Sequence, residues 1–214
     1  MVVCNGLRKA RRTVRHYRQG PAALDNTMKT TTVTIRGLTA LIMHNGQLAD
    51  PLNAASLSLS KLTKKKDKTE ADHLAIRKCE WYGGLYVDEK QRPCLPGEVL
   101  EALAVEGAKR LKLGKVAKGA IIIDGNFAID YPGPKSPDAL WADGGYVKLA
   151  GVRNKQNRVI RARPIFPKWE CTFDVQWDPE MIKNEDELFD IFENAASVGV
   201  GDWRPKFGRF EVVS

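Results

Sequence analysis

The most chemically suggestive part of the chain is a stretch without acidic residues that runs from Gly144 to Lys168. Its cations stand among Tyr146 and Phe166, and Trp169 follows directly. The seven cations are Lys148, Arg153, Lys155, Arg158, Arg161, Arg163 and Lys168. Basic side chains interleaved with aromatic rings suit a groove that follows a phosphate backbone and stacks bases. The alternative is a charged hairpin that is simply solvated.

A second candidate lies near the C-terminus, in the glycine-spaced segment GVGDWRPKFGR. Gly199 and Gly201 can adopt positive φ, so consecutive backbone N–H groups could point at one phosphate. The side chains suited to nucleic acid here are Trp203, Arg204, Lys206 and Arg209. The segment lacks GK[ST] and follows a helical pattern, whereas a P-loop precedes its helix, so a Walker nucleotide site is excluded. The alternative is that both glycines end a helix and Trp203 packs on a sheet edge.

His44, in LIMHNG, follows an apolar strand pattern and is the histidine best placed to act as a general base. The sequence marks no Tyr, Ser or second His as its partner, and a loop histidine is commonly a hydrogen-bonding or stacking residue. Asp50 and Asp88 lack the spacing of metal ligands. The four cysteines form no CxxC, so we expect reduced thiols. We therefore predict no metal and no cofactor.

The positive charge is unevenly distributed along the chain. Of the net charge of +8, five units belong to residues 1–27, where six Lys or Arg face only Asp25. We expect this segment to be a disordered basic arm, or an extension upstream of a natural start at Met28. The hydrophobic content of 43% suffices for one core, which we assign to residues 28–214. Without an apolar run of membrane-spanning length or a signal-peptide core, a cytoplasmic protein is expected.

Periodicity predicts the elements that would position these residues. Strand patterns cover residues 31–43, 119–131 with a break at Gly125, 169–177, and the C-terminal RFEVV. Helical patterns cover residues 96–113, with Gly114 as the stop, and 178–197. Residues 54–79 predict a polar helical excursion interrupted by KKKDK, and WYGGLYVDEKQRPCLPG predicts a hairpin with its turn at 88–92. Residues 132–168 show many turn formers and no obvious helix.

The order strand, helix, strand, strand, helix, strand predicts an α+β protein of the ferredoxin-like, split βαβ class. In this plan both helices cover one face of an antiparallel sheet, and the insertions fall at about 45–95 and 132–168. The other face stays available for a ligand, and RNA-recognition modules use that face.

Three segments of the chain resemble the RAMP superfamily, the crRNA-binding backbone subunits of CRISPR effector complexes. RPCLPGEVLEALAVEGAKR resembles their PGSSLKG helix opening, VGVGDWRPKFGRFEV their C-terminal glycine-rich loop, and RARPIFPKWECTFDVQWDPE the approach to their third strand. The resemblance spans residues 31–213 in topology and implies that the basic stretch is a thumb-like hairpin that clamps RNA. The family's Ser-Ser-Leu-Lys-Gly is replaced by Glu98, Val99, Leu100, Glu101 and Ala102, so its RNA-contacting hydroxyls and lysine are missing.

Together these features favour a non-catalytic protein that binds single-stranded RNA, or DNA, and assembles along the strand as a homo-oligomer or filament. Uncharacterised phage proteins of this size look similar, which favours a solitary phage-encoded relative. One alternative is a metal-independent endoribonuclease that uses His44. Another is a phage structural or inhibitory protein whose basic face binds an acidic partner.

Overall fold

A computed structural model describes residues 28–154 and 157–213. The predicted basic arm and Lys155 lie outside these residues. The described helices are α1 (Ala54–Thr63), α2 (Glu70–Gly84), α3 (Gly97–Arg110), α4 (Gly114–Ala120), α5 (Pro137–Asp143) and α6 (Glu185–Ala196), with a short 3-10 helix at Gly46–Ala49. The described strands are β1 (Lys29–Gly37), β2 (Leu41–Ile42), β3 (Cys94–Pro96), β4 (Ile121–Ile122), β5 (Asn126–Asp130), β6 (Val147–Asn154), β7 (Asn157–Phe166), β8 (Glu170–Trp177) and β9 (Phe210–Val212).

The larger sheet has the strand order β3-β5-β8-β1-β9, and β4 also pairs with β8. The strands β5, β8, β1 and β9 occupy the second, third, first and fourth positions of a split βαβ unit, and the paired strands run antiparallel. This order confirms the predicted ferredoxin-like α+β class.

The core forms because buried and exposed residues alternate along β1 and β8, and the buried residues of the two strands lie opposite each other. Val33 and Ile35 are fully buried on β1, opposite Phe173 and Cys171 of β8. α3 and α6 pack against each other, and both bury apolar side chains in the same core as these strands. A Cβ atom at Gly107 would collide with the carbonyl oxygen of Ile191, so glycine permits the close approach of the two helices.

A second, three-stranded sheet carries the basic stretch, with the order β2-β7-β6. The single strand predicted over residues 31–43 is wrong, because the chain turns after Gly37. The N–H groups of Leu38 and Thr39 both donate to the carbonyl of Arg209, at 2.8 and 3.1 Å. Leu41 and Ile42 then pair with β7. Residues 38–42 thus connect the two sheets, and His44 comes shortly after this connection.

Two helix boundaries and one additional helix differ from the sequence predictions. α2 continues through Gly84, where a hairpin was expected to begin, because Trp81 is buried in the core. Gly114 begins α4 and does not end the preceding helix, which already stops at Arg110. α5 lies in the segment predicted without a helix, and its N-cap Ser136 accepts a hydrogen bond from the Ala139 N–H.

Other predicted features are confirmed. The KKKDK segment separates α1 from α2, Gly125 at φ 119° separates β4 from β5, and the Asp88 N–H donates to the Arg92 carbonyl across the predicted turn.

Within the described ranges, no helix is long and apolar enough to cross a membrane.

Candidate nucleic-acid interface

The basic stretch forms the β6–β7 hairpin, in which cations face cations. Lys148 lies opposite Arg163, and Arg153 lies opposite Arg158 towards the tip. Like charges directly across an antiparallel pair destabilise it. Arg158 is exposed and Lys148 is half-buried, so both side chains are accessible from solvent.

The aromatic residues of this stretch belong to the core, which corrects the stacking role expected for Tyr146 and Trp169. The Tyr146 hydroxyl donates a hydrogen bond to the Pro132 carbonyl, and its ring contacts Phe166. Burial raises the pKa of the Tyr146 hydroxyl. Trp169 is buried, and its Nε1–H donates to the Thr39 carbonyl at 2.9 Å. None of these rings can stack on a base without unfolding the sheet.

Arg161 joins β7 to α2 and is not available as an unpaired cation. Its guanidinium donates to Oε1 of Glu80, whose side chain is 1% exposed. The second carboxylate oxygen of Glu80 accepts the Ala162 N–H at 3.0 Å, on the edge of β7 that faces away from β6. The predicted phosphate contact by Arg161 is therefore corrected to a structural ion pair.

Arg163 connects the base of the hairpin to the C-terminal glycine segment. Only 11% of its side chain is exposed, and its Nε lies 3.6 Å from Oδ2 of Asp202. Its terminal nitrogen donates to the Ala162 carbonyl at 3.2 Å. This burial corrects the expectation of a solvent-facing phosphate ligand. It also brings together two basic segments that are far apart in the sequence.

The segment that we call the glycine loop, residues 197–209, uses its backbone N–H groups within the protein. The Val200 N–H donates to the Gly208 carbonyl at 2.9 Å, and the Asp202 N–H donates to the Ile42 carbonyl at 2.8 Å. The Gly199 N–H donates to the Ala195 carbonyl at 3.1 Å. The expected phosphate cradle of consecutive N–H groups is therefore wrong. Gly199 and Gly201 do adopt positive φ, at 82° and 84°, but to fit the loop against the core.

The side chains of the glycine loop remain available to a ligand. Arg204, Lys206 and Arg209 are exposed, and Trp203 is half-buried with its ring 6.2 Å from that of Phe207. Arg204 also donates to the Gly199 carbonyl at 3.4 Å. Trp203 is consequently the aromatic ring of the predicted set that can still stack on a base.

His44 has a partner that sequence reasoning missed. Its Nδ1 lies 3.5 Å from Oδ2 of Asp202, and the Tyr86 hydroxyl donates to its carbonyl at 3.2 Å. Burial lowers the pKa of His44, the Arg163 guanidinium lowers it further, and Asp202 opposes both effects. The signal in the sequence was the one acidic residue of an otherwise basic glycine loop. No group of three or more metal-ligating side chains occurs among the residues described.

Two cavities adjoin at the glycine loop. One of about 320 Å³ opens beside His44, and another of about 570 Å³ opens beside Trp203 and Arg110. Both are lined by Gly201, Asp202 and Arg204. Lys168, also predicted as a ligand of nucleic acid, lines a different cavity together with Asp130 and Glu170. Of the predicted ligands, Lys168 thus lies apart from the glycine loop and the hairpin.

The open face of the larger sheet is unlike that of an RNA-recognition module. The even-numbered residues of the central strands form this face, and their exposed or half-exposed side chains are Thr30, Thr32, Thr34, Arg36, Glu170, Thr172, Asp174 and Gln176. Arg36 is paired with Glu170 at 2.8 Å and lies 3.7 Å from Glu211 of β9. This face of the two strands therefore presents no aromatic ring for stacking, and it carries two acidic groups and one basic group.

Comparison with known proteins gives similarity at the level of solved structures. No protein-family model and no curated protein sequence matches the chain. A cryo-EM structure of the type III-B Cmr-beta complex bound to cognate target RNA is similar with 14% identity and a TM-score of 0.45, over 87% of this chain and 60% of the other. The crystal structure of Cmr6 from Pyrococcus furiosus is similar with 11% identity and a TM-score of 0.38, over 87% and 99%. This chain thus covers about 60% of the length of the first matching chain. At these identities and TM-scores, neither match shows what this chain binds.

Proposed function

We propose that this protein binds single-stranded nucleic acid, RNA in preference to DNA, along a path from the β6–β7 hairpin to the glycine loop. The contact between Arg163 and Asp202 carries the proposal, because it places the base of the β6–β7 hairpin against the glycine loop. The preference for RNA follows the resemblance of three sequence segments to crRNA-binding proteins. In this proposal the protein binds its ligand without cleaving it.

In this proposal solvent-accessible cations bind the phosphates, and one aromatic ring, that of Trp203, contacts a base. Lys148 and, on the opposite face of the hairpin near its tip, Arg158 contact the backbone, and Arg204 and Lys206 contact it at the glycine loop. Trp203 stacks on a base, a contact of about 1–3 kcal/mol in single-strand binding proteins. Because every nucleotide offers a phosphate and a ring, further copies of the protein assemble along the same strand.

The first experiment is purification from cells while the absorbance at 260 nm is followed. Extracted nucleic acid is then treated separately with RNase and with DNase. The purified protein is titrated with labelled RNA and DNA 20-mers, and analytical ultracentrifugation reports the number of copies per strand. We expect co-purified RNA and tighter binding to the RNA 20-mer. Binding to neither 20-mer would overturn the proposal and favour an acidic protein partner.

A pair of matched variants tests the path. The double variant Arg158→Gln and Arg204→Gln should bind the RNA 20-mer at least tenfold more weakly, because two phosphate contacts are lost. Lys115→Gln with Lys118→Gln removes the same charge from exposed positions of α4 and serves as the control. Equal weakening by both pairs would mean that net charge alone determines the affinity, and the path would be wrong.

A second candidate function, metal-independent RNA cleavage, is favoured by the contact between His44 and Asp202. The lowered pKa keeps His44 neutral at pH 7, as a general base requires. His44 would take the proton of a 2′-hydroxyl, whose oxygen attacks the adjacent phosphorus and expels the 5′-oxygen, which water protonates. A 2′,3′-cyclic phosphate product formed in EDTA and lost in His44→Ala would establish this activity. Intact RNA after prolonged incubation would exclude it.

A further inference from the structure

The smaller cavity at the glycine loop has the composition of a pocket for a flat heterocycle. It lies between the beginning of α3, the end of β2 and the glycine loop. Its deepest side chains are apolar and buried, namely Met43, Leu95, Leu103 and Val200. Its polar groups stand among the remaining lining residues and include Glu98 and Arg204. Apolar walls with a few fixed polar groups are typical of small-ligand sites, and about 320 Å³ is within their range of size.

Arg204 places this cavity on the path proposed for the strand. Its exposed guanidinium lines both the smaller cavity and the neighbouring one that contains Trp203. Nucleotides whose bases occupy the two cavities would have their linking phosphate beside Arg204. The smaller cavity is thus suited to one base turned out of the strand.

The negatively charged side chain of Glu98 is not expected on a surface that binds only phosphates. It is exposed in the first turn of α3. An ionised carboxylate accepts hydrogen bonds and donates none, so it repels a phosphate and attracts N–H groups. Asp202 is less suited to this role, because its Oδ1 accepts the Trp203 N–H at 3.0 Å and its Oδ2 faces His44 and Arg163.

We propose that this cavity holds a guanine base of the bound strand, and that Glu98 accepts hydrogen bonds from its N1–H and its 2-amino group. Guanine presents these two donors side by side, matching the two oxygens of one carboxylate. Adenine and cytosine offer a single amino group on that edge, and uracil offers a single N–H. The inference rests on the proposed function, because the base reaches the cavity as part of a bound strand.

The test uses labelled RNA 20-mers of uridine whose central residue is uridine, guanosine, inosine or adenosine. Fluorescence anisotropy should show about tenfold tighter binding with guanosine than with uridine, the size of a good bidentate contact. Inosine lacks the 2-amino group and should recover only part of that gain. Glu98→Gln should lose the gain while binding the all-uridine strand as well as the wild type or better. Glu106→Gln, on the same helix but paired with Lys109, should retain it.

The outcomes separate this inference from the proposed function. Equal affinity for all four strands would overturn the guanine site and leave single-strand binding intact. A guanosine preference that survives in Glu98→Gln would also overturn it. Absence of binding to every strand would overturn both. The inosine comparison uses the unaltered protein, so it does not depend on how any variant folds.

Discussion

At Gly201 the glycine loop passes so close to β2 that an added Cβ would collide with the carbonyl oxygen of Ile42. At Gly199 a Cβ would lie 2.8 Å from the carbonyl oxygen of Phe207, and both residues have positive φ. We expect Gly201→Ala to lower the free energy of unfolding by about 1–3 kcal/mol, from strain and displacement of the loop. Chemical denaturation measures this change. An unaltered stability with reduced RNA affinity would instead restore the backbone phosphate cradle.

Trp203 should behave in the opposite way, because its ring is half-buried beside Phe207 and outside the core. We expect Trp203→Ala to weaken RNA binding by about 1–3 kcal/mol through the loss of a stacking surface. Its melting temperature should stay close to that of the wild type. Trp203→Phe keeps an aromatic face and should recover part of the affinity. A large fall in melting temperature with normal affinity would mean that the ring is structural.

His44 should make the stability of the protein depend on pH. Burial and Arg163, with a smaller effect of Arg161, lower its pKa below 6.5, while Asp202 and Glu80 oppose them. The unfolded chain therefore takes up a proton near pH 6.5 that the folded chain binds only at lower pH. The free energy of unfolding should fall as the pH decreases from 6.5 towards the folded pKa. Denaturation at pH 7.5 and 5.5 should show a smaller fall in His44→Gln than in the wild type or in His73→Gln, which changes an exposed histidine outside this cluster.

The ion pair between α2 and β7 sets the position of the hairpin. Among the described residues, Arg161→Gln would leave the buried Glu80 carboxylate with the Ala162 N–H as its remaining hydrogen-bond partner. Removing one member of a buried pair costs about 3 kcal/mol, so the melting temperature should fall by roughly 6–12 °C. Arg158→Gln, four residues away from Ala162 along β7, should melt at or above the wild-type temperature, since it removes a like charge opposite Arg153. Equal melting of both variants would contradict the structural role of Arg161.

Local periodicity correctly predicted the elements whose burial pattern can be derived from their own residues alone. β8 buries Cys171, Phe173 and Val175 on one face as its alternation required, and α6 buries Leu188 and Ile191. Contacts between distant segments were not predictable in this way. Nothing near Arg161 in the sequence shows that its partner is Glu80, 81 residues away, nor that Tyr146 is buried. Sequence reasoning therefore singled out the two basic segments, while only some of their predicted side chains are accessible to a ligand.

At the scale of the whole molecule, the salt dependence of binding reports how many cations meet the strand. The proposed path uses four cations as phosphate contacts, and at about 0.7 counter-ions per contact the slope of log K against log salt should be near −3. A chain beginning at Met28 should show this slope. The full chain should show a steeper one if the six Lys or Arg of residues 1–27 also bind phosphates. Titrations of both chains with one RNA 20-mer between 50 and 300 mM salt, roughly a sixfold range, decide this. A flat response in both would show that phosphate contacts do not drive binding and that the basic surface serves another partner.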